Sequence, residues 1–404
     1  MLITVQKYGG TSVGSPEKIQ NVADRVIQAY HKTKRVVVVV SAMGNTTDVL
    51  IGFAKQLSLV PDPREYDALI STGENVSAAL LSMALIQKGF PAISLTGAQA
   101  GILTENVHMR AKILMVNPSR IHDELNQDRI VVITGFQGVN MLGDVTTIGR
   151  GGSDTSAVVL AAALNAPSCE IFTDVDGIYT TDPREVPLAR KIPEISYDEM
   201  LELASLGAGV LHPRAVECGK QHGVHIHVRS TFKPDQGSFV KETNMEVSKP
   251  VTGITASEEQ VILSILNLSH TPGVAGQVFQ ALADAGINVD MIVQSVENGS
   301  QNHISFSVHE DDVLKAKMVS EKMAELLGAN QVVLDEDVSK ISIVGVGMIS
   351  RPGIAAKMFS TLGNLGINIK RITTSEIKIS CAISRKDTKK ALETLHHVFD
   401  LDRV

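Results

Sequence analysis

The chain has 404 residues, a formal net charge of −7, 44% hydrophobic and 20% charged residues, and no tryptophan. That length exceeds one ordinary core and suits two or three domains. An acidic balance without any Lys/Arg block argues against a nucleic-acid partner, and no apolar run nears the roughly 20 residues of a membrane helix. Cys169, Cys218 and Cys381 are odd in number, far apart and without metal-ligand spacing. With no leader-like stretch before Leu2–Val5, they predict a cytoplasmic protein.

In chain order, β-branched runs at Leu2–Val5, Arg35–Ser41, Ala92–Thr96, Ile130–Phe136, Glu170–Thr173 and His225–Val228 read as buried strands. Segments of helical period lie between them at Pro16–Tyr30, Glu74–Lys88, Asp154–Leu164 and Tyr197–Ala204. Continuous apolar strands alternating with amphipathic helices predict an α/β domain over 1–232, with a largely parallel sheet sandwiched by helices. Residues 233–250 carry Pro234, Gly237 and Pro250 with little periodicity, and read as a connector with one short strand.

Beyond the connector a unit repeats. Pro272-Gly273-Val274-Ala275 returns as Pro352-Gly353-Ile354-Ala355, and Gly286-Ile287-Asn288-Val289 as Gly366-Ile367-Asn368-Ile369, each eighty positions later. Matching turns as well as helix positions predict two copies of a ferredoxin-like βαββαβ module, at 251–335 and 336–404.

Three clusters carry chemistry. The first strand runs into Lys7-Tyr8-Gly9-Gly10-Thr11-Ser12. Adjacent glycines let backbone N–H groups approach a phosphate, and Lys7 supplies a cation, although a Gly-Gly turn alone also fits a purely structural role. No GxxxxGK[ST] or GxGxxG pattern occurs at this position. The second cluster, Gly149-Arg150-Gly151-Gly152-Ser153-Asp154, opens a helix. Ser153 or Asp154 is placed to cap that helix, and Arg150 offers a planar fork for a carboxylate or phosphate. The third, Thr173-Asp174-Val175-Asp176-Gly177, lies at a strand end where open α/β sheets bind ligands. Its acidic residues need nearby cations; a solvated acidic turn is the bland alternative. His225 and His227, two apart, lack a third ligand and read as packing residues. His212-Pro213-Arg214 reads as a turn.

Together these motifs, with Ser41-Ala42-Met43-Gly44, Ser71-Thr72-Gly73-Glu74 and Gly135-Phe136-Gln137-Gly138, resemble the aspartokinases of the amino-acid kinase superfamily, in order and over essentially the whole chain. The repeat resembles that family's paired ACT modules. The resemblance implies transfer of the γ-phosphoryl group of ATP, with Mg²⁺, to the β-carboxylate of L-aspartate, the first step toward lysine, threonine and methionine. It implies Lys7, Asp154 and Arg150 as catalytic residues. Lys7, Tyr8, Gly9, Gly10, Thr173, Asp174, Tyr179, Arg184, Gly209 and Val210 would hold ATP. Ser41, Thr47, Glu74, Arg150 and Ser153 would hold aspartate, Glu74 taking its ammonium. At Gly209 the family commonly has a lysine; here either backbone amides replace that charge or another cation serves. No protein side chains are assigned to a metal.

The ACT pair implies feedback by lysine, threonine or both, and a homodimer or higher oligomer. The effector would bind at His270–Ala275 with Asn288–Gln294, and at Ile349–Ala355 with Asn368–Thr374. His270, Thr271, Gly273, Val274, Ala275, Asn288, Gln294, Asn368 and Ile369 are the expected contacts. His270 stands where many relatives carry Asp. Some relatives make a separate regulatory subunit from an internal start, for which Met245 is the candidate. A kinase of another amino-acid carboxylate such as glutamate, or a sensor retaining the kinase fold, remain the alternatives.

Overall fold

The computed structural model describes residues 2–207, 209–243, 249–297, 301–329 and 331–403; the candidate internal start, Met245, lies outside them. The chain divides into two compact units. The first comprises Met1–Ile178, Lys191–Ser205 and Gly209–Met245.

Its eight-stranded sheet runs, in spatial order, Glu194–Ile195, Ser238–Val240, His225–Ser230, Ser168–Thr173, Thr4–Tyr8, Val36–Val40, Ile130–Thr134 and Ala92–Leu95. The six strands from His225–Ser230 to Ala92–Leu95 are parallel, and Ser238–Val240 is antiparallel to His225–Ser230. Val36–Val40 is buried at every residue, as expected of a strand covered on both faces. The helix Pro16–Thr33 starts at Ser15, whose hydroxyl accepts the Lys18 N–H, with Pro16 at a position that needs no donor. Its Ile19, Val22 and Val26 pack with Leu81 and Leu85 of the helix Thr72–Gln87 and with the valine strand. The stretch Pro63–Gln87 is long and apolar enough by composition to cross a bilayer, yet more than half of its most apolar part is buried in this layer.

Two features depart from the sequence pattern. Four strands of three or four residues, Ile113–Val116, Ile102–Thr104, Gln137–Val139 and Val145–Thr147, form a small second sheet. Strands this short show no usable period. The first unit also continues past 232, because Ser238–Val240 completes the main sheet, while 179–190 and 206–208 cluster with the second unit.

The second unit holds the repeat. The helices Val274–Asp284 and Ile354–Asn364 each start after a glycine in the left-handed region, Gly273 at φ +93° and Gly353 at φ +95°. The first module's sheet is Asp290–Glu297, Gln301–His309, Gln260–Ser269 and Gln331–Asp335. The second module's is Gly253–Ser257, Ser339–Val344, Lys378–Ile383 and Arg371–Thr374. The expected boundary at 251 therefore shifts. Gly253–Ser257 pairs antiparallel with Ser339–Val344 and fills, in the second module, the place that Gln331–Asp335 fills in the first. The first module is threaded between that strand and the rest of the second. Charges join the two: Lys340, its side chain 4% exposed, meets Asp290 at 2.7 Å, and Lys370 meets Asp335 at 3.0 Å.

Ile254 is buried in the core of the second module with Ile341, Ile343 and Leu392. Ile254→Asp should destabilise that module by at least about 3 kcal/mol. Amide exchange would show it: residues 341–343 and 379–383 should lose protection while 262–265 and 304–308 keep theirs.

Candidate active site

The glycine clusters meet at the carboxyl ends of the parallel strands. Lys7 sits in register between Val39 and Ile171 on the flanking strands. Its Nζ lies 2.6 Å from Asp154 Oδ1, both side chains mostly shielded. Asp154 is in the first turn of the helix Gly152–Ala163, where the positive helix end favours a carboxylate. The expected side-chain cap is absent, since Gly151 holds the N-cap position. Asp154 serves Lys7 instead.

The loop after Lys7 packs onto the end of the valine strand. Gly9 N–H donates to Phe172 O at 3.2 Å, and Gly44 N–H donates to Gly10 O at 3.0 Å. A Cβ on Gly10 would stand 2.8 Å from Ala42 O, so this approach requires glycine. Ser12 and Thr231 hydroxyls share a hydrogen bond of 2.6 Å. Tyr8, expected among the nucleotide contacts, turns its side chain into the core. Its ring is fully buried and stacks on Phe172 with centroids 4.8 Å apart. Burial pushes its phenol up, and the hydroxyl donates to Gln6. Only its backbone reaches the loop region, where Tyr8 O accepts the Ser41 N–H at 3.1 Å.

Glu74 lies in the first turn of Thr72–Gln87 and is 3% exposed. One carboxylate oxygen, Oε1, accepts the Ala42 N–H at 3.1 Å; the other, Oε2, is buried with no partner among the described residues. Burial pushes its carboxyl up to about 7, and backbone hydrogen bonds only partly oppose this. Gln137 Nε2 donates to Ser71 O at 2.8 Å and so steadies the start of that helix. Ser41 and Thr47 are half-buried, Thr47 in the first turn of Thr46–Leu57.

Arg150 is exposed between Gly149 and Gly151, at φ +86° and +66°. A Cβ on Gly151 would stand 2.1 Å from the His212 side chain. His212 caps the helix Pro213–His222 by accepting the Arg214 N–H, and the Arg214 guanidinium donates to Ile148 O at 2.6 Å and Ala111 O at 3.0 Å. Ser153 is buried against Gly135, where a Cβ would lie 2.7 Å from its hydroxyl.

Thr173 donates to Asp174 at 3.0 Å. The acidic loop has the cations its charge requires, with Lys191 Nζ 3.3 Å from Asp176 and Lys233 Nζ 3.9 Å from it. Gly209 is exposed at φ +61°, and Val210 is half-buried. Tyr179 and Arg184 belong to the second compact unit, where Arg184 pairs with Asp182 at 2.7 Å. His227 stacks on Phe239 with centroids 3.8 Å apart and bonds Gln236 O, a packing role.

Among the effector positions, His270, Thr271, Gly273, Asn288, Gln294 and Asn368 are exposed, and Ala275 and Ile369 half-buried. His270 Nδ1 bonds Asn302 Oδ1 at 2.8 Å. The Val274 side chain is 4% exposed and packs in the first module's core with Val278 and Leu282, which leaves its backbone for the expected contact. Asp67 carries no signal of a role in the sequence, since the partners of its carboxylate lie 41 to 80 residues away; Gln137 and Arg214, each within a motif already named, also act on backbone 66 to 103 residues away.

A cation and carboxylates gathered at glycine-lined strand ends define a phosphotransferase of the α/β kind. Residues 3–230 match the amino acid kinase family, and residues 265–327 and 341–399 match the ACT domain. The chain is 51% identical over 402 residues to an aspartokinase of Geobacillus stearothermophilus, covering 99% of this chain and 98% of that one. Among solved structures it is similar to E. coli aspartokinase III in complex with aspartate and ADP, with a TM-score of 0.84, 25% identity, and 98% and 99% coverage of the two chains. It is also similar to the same E. coli protein with lysine and aspartate, at a TM-score of 0.74, 25% identity and the same coverage. The chain therefore belongs to the amino acid kinase family, in its aspartokinase branch.

Gly10→Ala should shift the loop off Ala42 and cost at least about tenfold in kcat/KM for ATP, with an unchanged circular-dichroism spectrum. Steady-state kinetics at saturating amino acid would check this.

Proposed function

We propose that the chain is an aspartate kinase that forms 4-phospho-L-aspartate from ATP and L-aspartate. The observation that carries the choice of acceptor is Glu74, a buried carboxylate with one unpartnered oxygen beside the strand ends that bear Lys7. Such an oxygen suits an ammonium, and an α-amino acid brings one. Arg150 takes a carboxylate of the substrate, aided by Ser153, with Ser41 and Thr47 lining the same site. Lys7, Gly9 and Gly10 hold the phosphates, with Asp154 fixing Lys7. Thr173, Asp174, Tyr179, Arg184, Gly209 and Val210 complete the nucleotide contacts.

The nucleophile, a β-carboxylate oxygen, is already ionised near neutrality, so no general base is needed. It bonds to the γ-phosphorus as the bond to the bridging oxygen breaks and ADP leaves with that electron pair. The protein's task is charge neutralisation and in-line placement. Mg²⁺, when bound, neutralises phosphate charge. Among the described residues no group of three or more His, Cys, Asp or Glu gathers for a metal, so phosphate oxygens would supply most of its ligands, with Asp154 and Asp174 the available carboxylates.

The exposed turns at His270–Gly273, Asn288 and Asn368 support an amino-acid effector site, for lysine or threonine, on an ACT pair that also associates chains. An E. coli relative is solved with lysine. Three unpaired, buried cysteines support a cytoplasmic setting.

ADP release should depend on aspartate, with glutamate a poor substitute, and lysine or threonine should lower the rate. Lys7→Ala should lose at least about a hundredfold in kcat. Equal rates with glutamate, or near-normal turnover without Lys7, would refute the assignment.

The raised carboxyl of Glu74 has a definite sign. The ligand-free fold prefers it protonated, so its contribution to stability falls as pH rises from 4.5 through about 7. An ammonium needs the carboxylate, so binding aspartate below that value releases a proton. KM for aspartate should therefore fall as pH rises from about 6 and level off above about 7.5. Glu74→Gln should raise KM and abolish the slope, as aspartate titrations across that range would reveal.

A further inference from the structure

Asp67 is fully buried on the short helix Pro63–Ile70, and its carboxylate is met by donors from two distant segments, the end of the strand Val145–Thr147 and the loop at His108–Met109. It accepts the Thr147 N–H at 3.0 Å, the Thr147 hydroxyl at 2.6 Å and the Met109 N–H at 3.0 Å, with His108 Nδ1 at 2.9 Å. The neighbouring groups are equally engaged. Thr147 O accepts the Ala111 N–H at 2.9 Å, Ile148 N–H donates to Phe136 O at 2.9 Å, and Ile148 O receives Arg214. Every backbone polar group of residues 147 and 148 is thus held, immediately before the turn that Gly152 N–H closes on Gly149 O. Arg150 stands at the tip of that turn.

The same helix leads to Glu74. Ser71 N–H donates to Asp67 O at 3.1 Å, and Thr72 begins the helix that carries Glu74. Asp67 therefore ties the base of the Arg150 turn to the base of the Glu74 helix. A buried carboxylate is costly unless its lone pairs are filled, and here two of the four donors come from Thr147 at the base of the Arg150 turn and two from His108 and Met109.

We propose that Asp67 is a positioning residue for substrate: it fixes the separation between Arg150, which takes a substrate carboxylate, and Glu74, which takes the ammonium. This rests on the role of Arg150 proposed above. The charge of Asp67 never touches the reactants; its effect passes through the turn. Losing it impairs recognition of aspartate and leaves ATP binding intact.

The test compares Asp67→Asn, Arg150→Ala and the double variant in the full chain, with KM measured for each substrate. Asparagine keeps the volume but points an amide donor at one of the existing donors. Asp67→Asn should raise KM for aspartate at least about tenfold, hold KM for ATP within about twofold, and add almost nothing in the Arg150→Ala background. Should Asp67→Asn fail to fold, Thr147→Val against Thr147→Ser carries the same comparison, with only Val raising KM for aspartate. Equal rises in both KM values, or full additivity in the double variant, would overturn the positioning role while leaving Arg150 in place. An unchanged KM for aspartate in Arg150→Ala alone would overturn the role of Arg150 and the proposal with it.

Discussion

Bringing a carboxylate against a polyphosphate is the constraint on which the catalytic unit depends. Two unit negative charges 4 Å apart repel by about 4 kcal/mol at a partly shielded protein site, and the triphosphate carries several. In the function proposed here the fold answers with backbone N–H groups brought close by glycine, one shielded lysine, and an arginine on a turn. The Lys7–Asp154 pair holds the cation in place. In the ligand-free molecule its charge is balanced by the partner carboxylate, so the site does not hold an isolated buried ammonium. Asp154 in turn sits at a helix start whose dipole favours its charge. Cation, counter-charge and helix are therefore one device.

Recognition of the amino acid uses the opposite logic. Glu74 is left under-satisfied, with one oxygen buried and no donor for it among the described residues. That vacancy costs the ligand-free fold some stability, and in the function proposed here an ammonium fills it. Sites of this kind discriminate well, because a ligand lacking the matching donor leaves the penalty in place. Gln137 steadies the start of the Glu74 helix through Ser71 O, while Asp67 and Arg214 hold the strand end before the Arg150 turn.

The regulatory unit shows how a repeat becomes one body. Its modules are near copies in their helices and turns, but they are not sequential. Gly253–Ser257 belongs to the second module's sheet, so the first cannot be removed as a terminal piece. At equivalent positions eighty apart, Asp290 and Lys370 carry opposite charges, and each reaches into the other module, to Lys340 and to Asp335. Asp290 opens the strand Asp290–Glu297 and Lys370 directly precedes Arg371–Thr374, each shortly after a Gly-Ile-Asn turn. An effector bound at the proposed positions on these turns would sit close in sequence to an ion pair that spans the modules, which would give coupling a physical route.

Much of this was legible in the linear chain. The five valines, the glycine pairs after strands, Arg150 and Asp154 before a helix, and the eighty-residue repeat are local signals, because strand burial, backbone approach and turn geometry are decided by neighbours in sequence. The small sheet at 102–147, the core position of the Tyr8 ring and the convergence on Asp67 were not. Each depends on groups far apart along the chain that meet only when the sheet order is set, and no residue type at one position reveals its distant partner. The sequence by itself determined the family, the layered α/β domain, the paired modules and most of the chemistry-bearing residues. Tertiary structure alone decided which of them touch, which module owns Gly253–Ser257, and which carboxylate stays unpaired, because those outcomes depend on packing across the sheet.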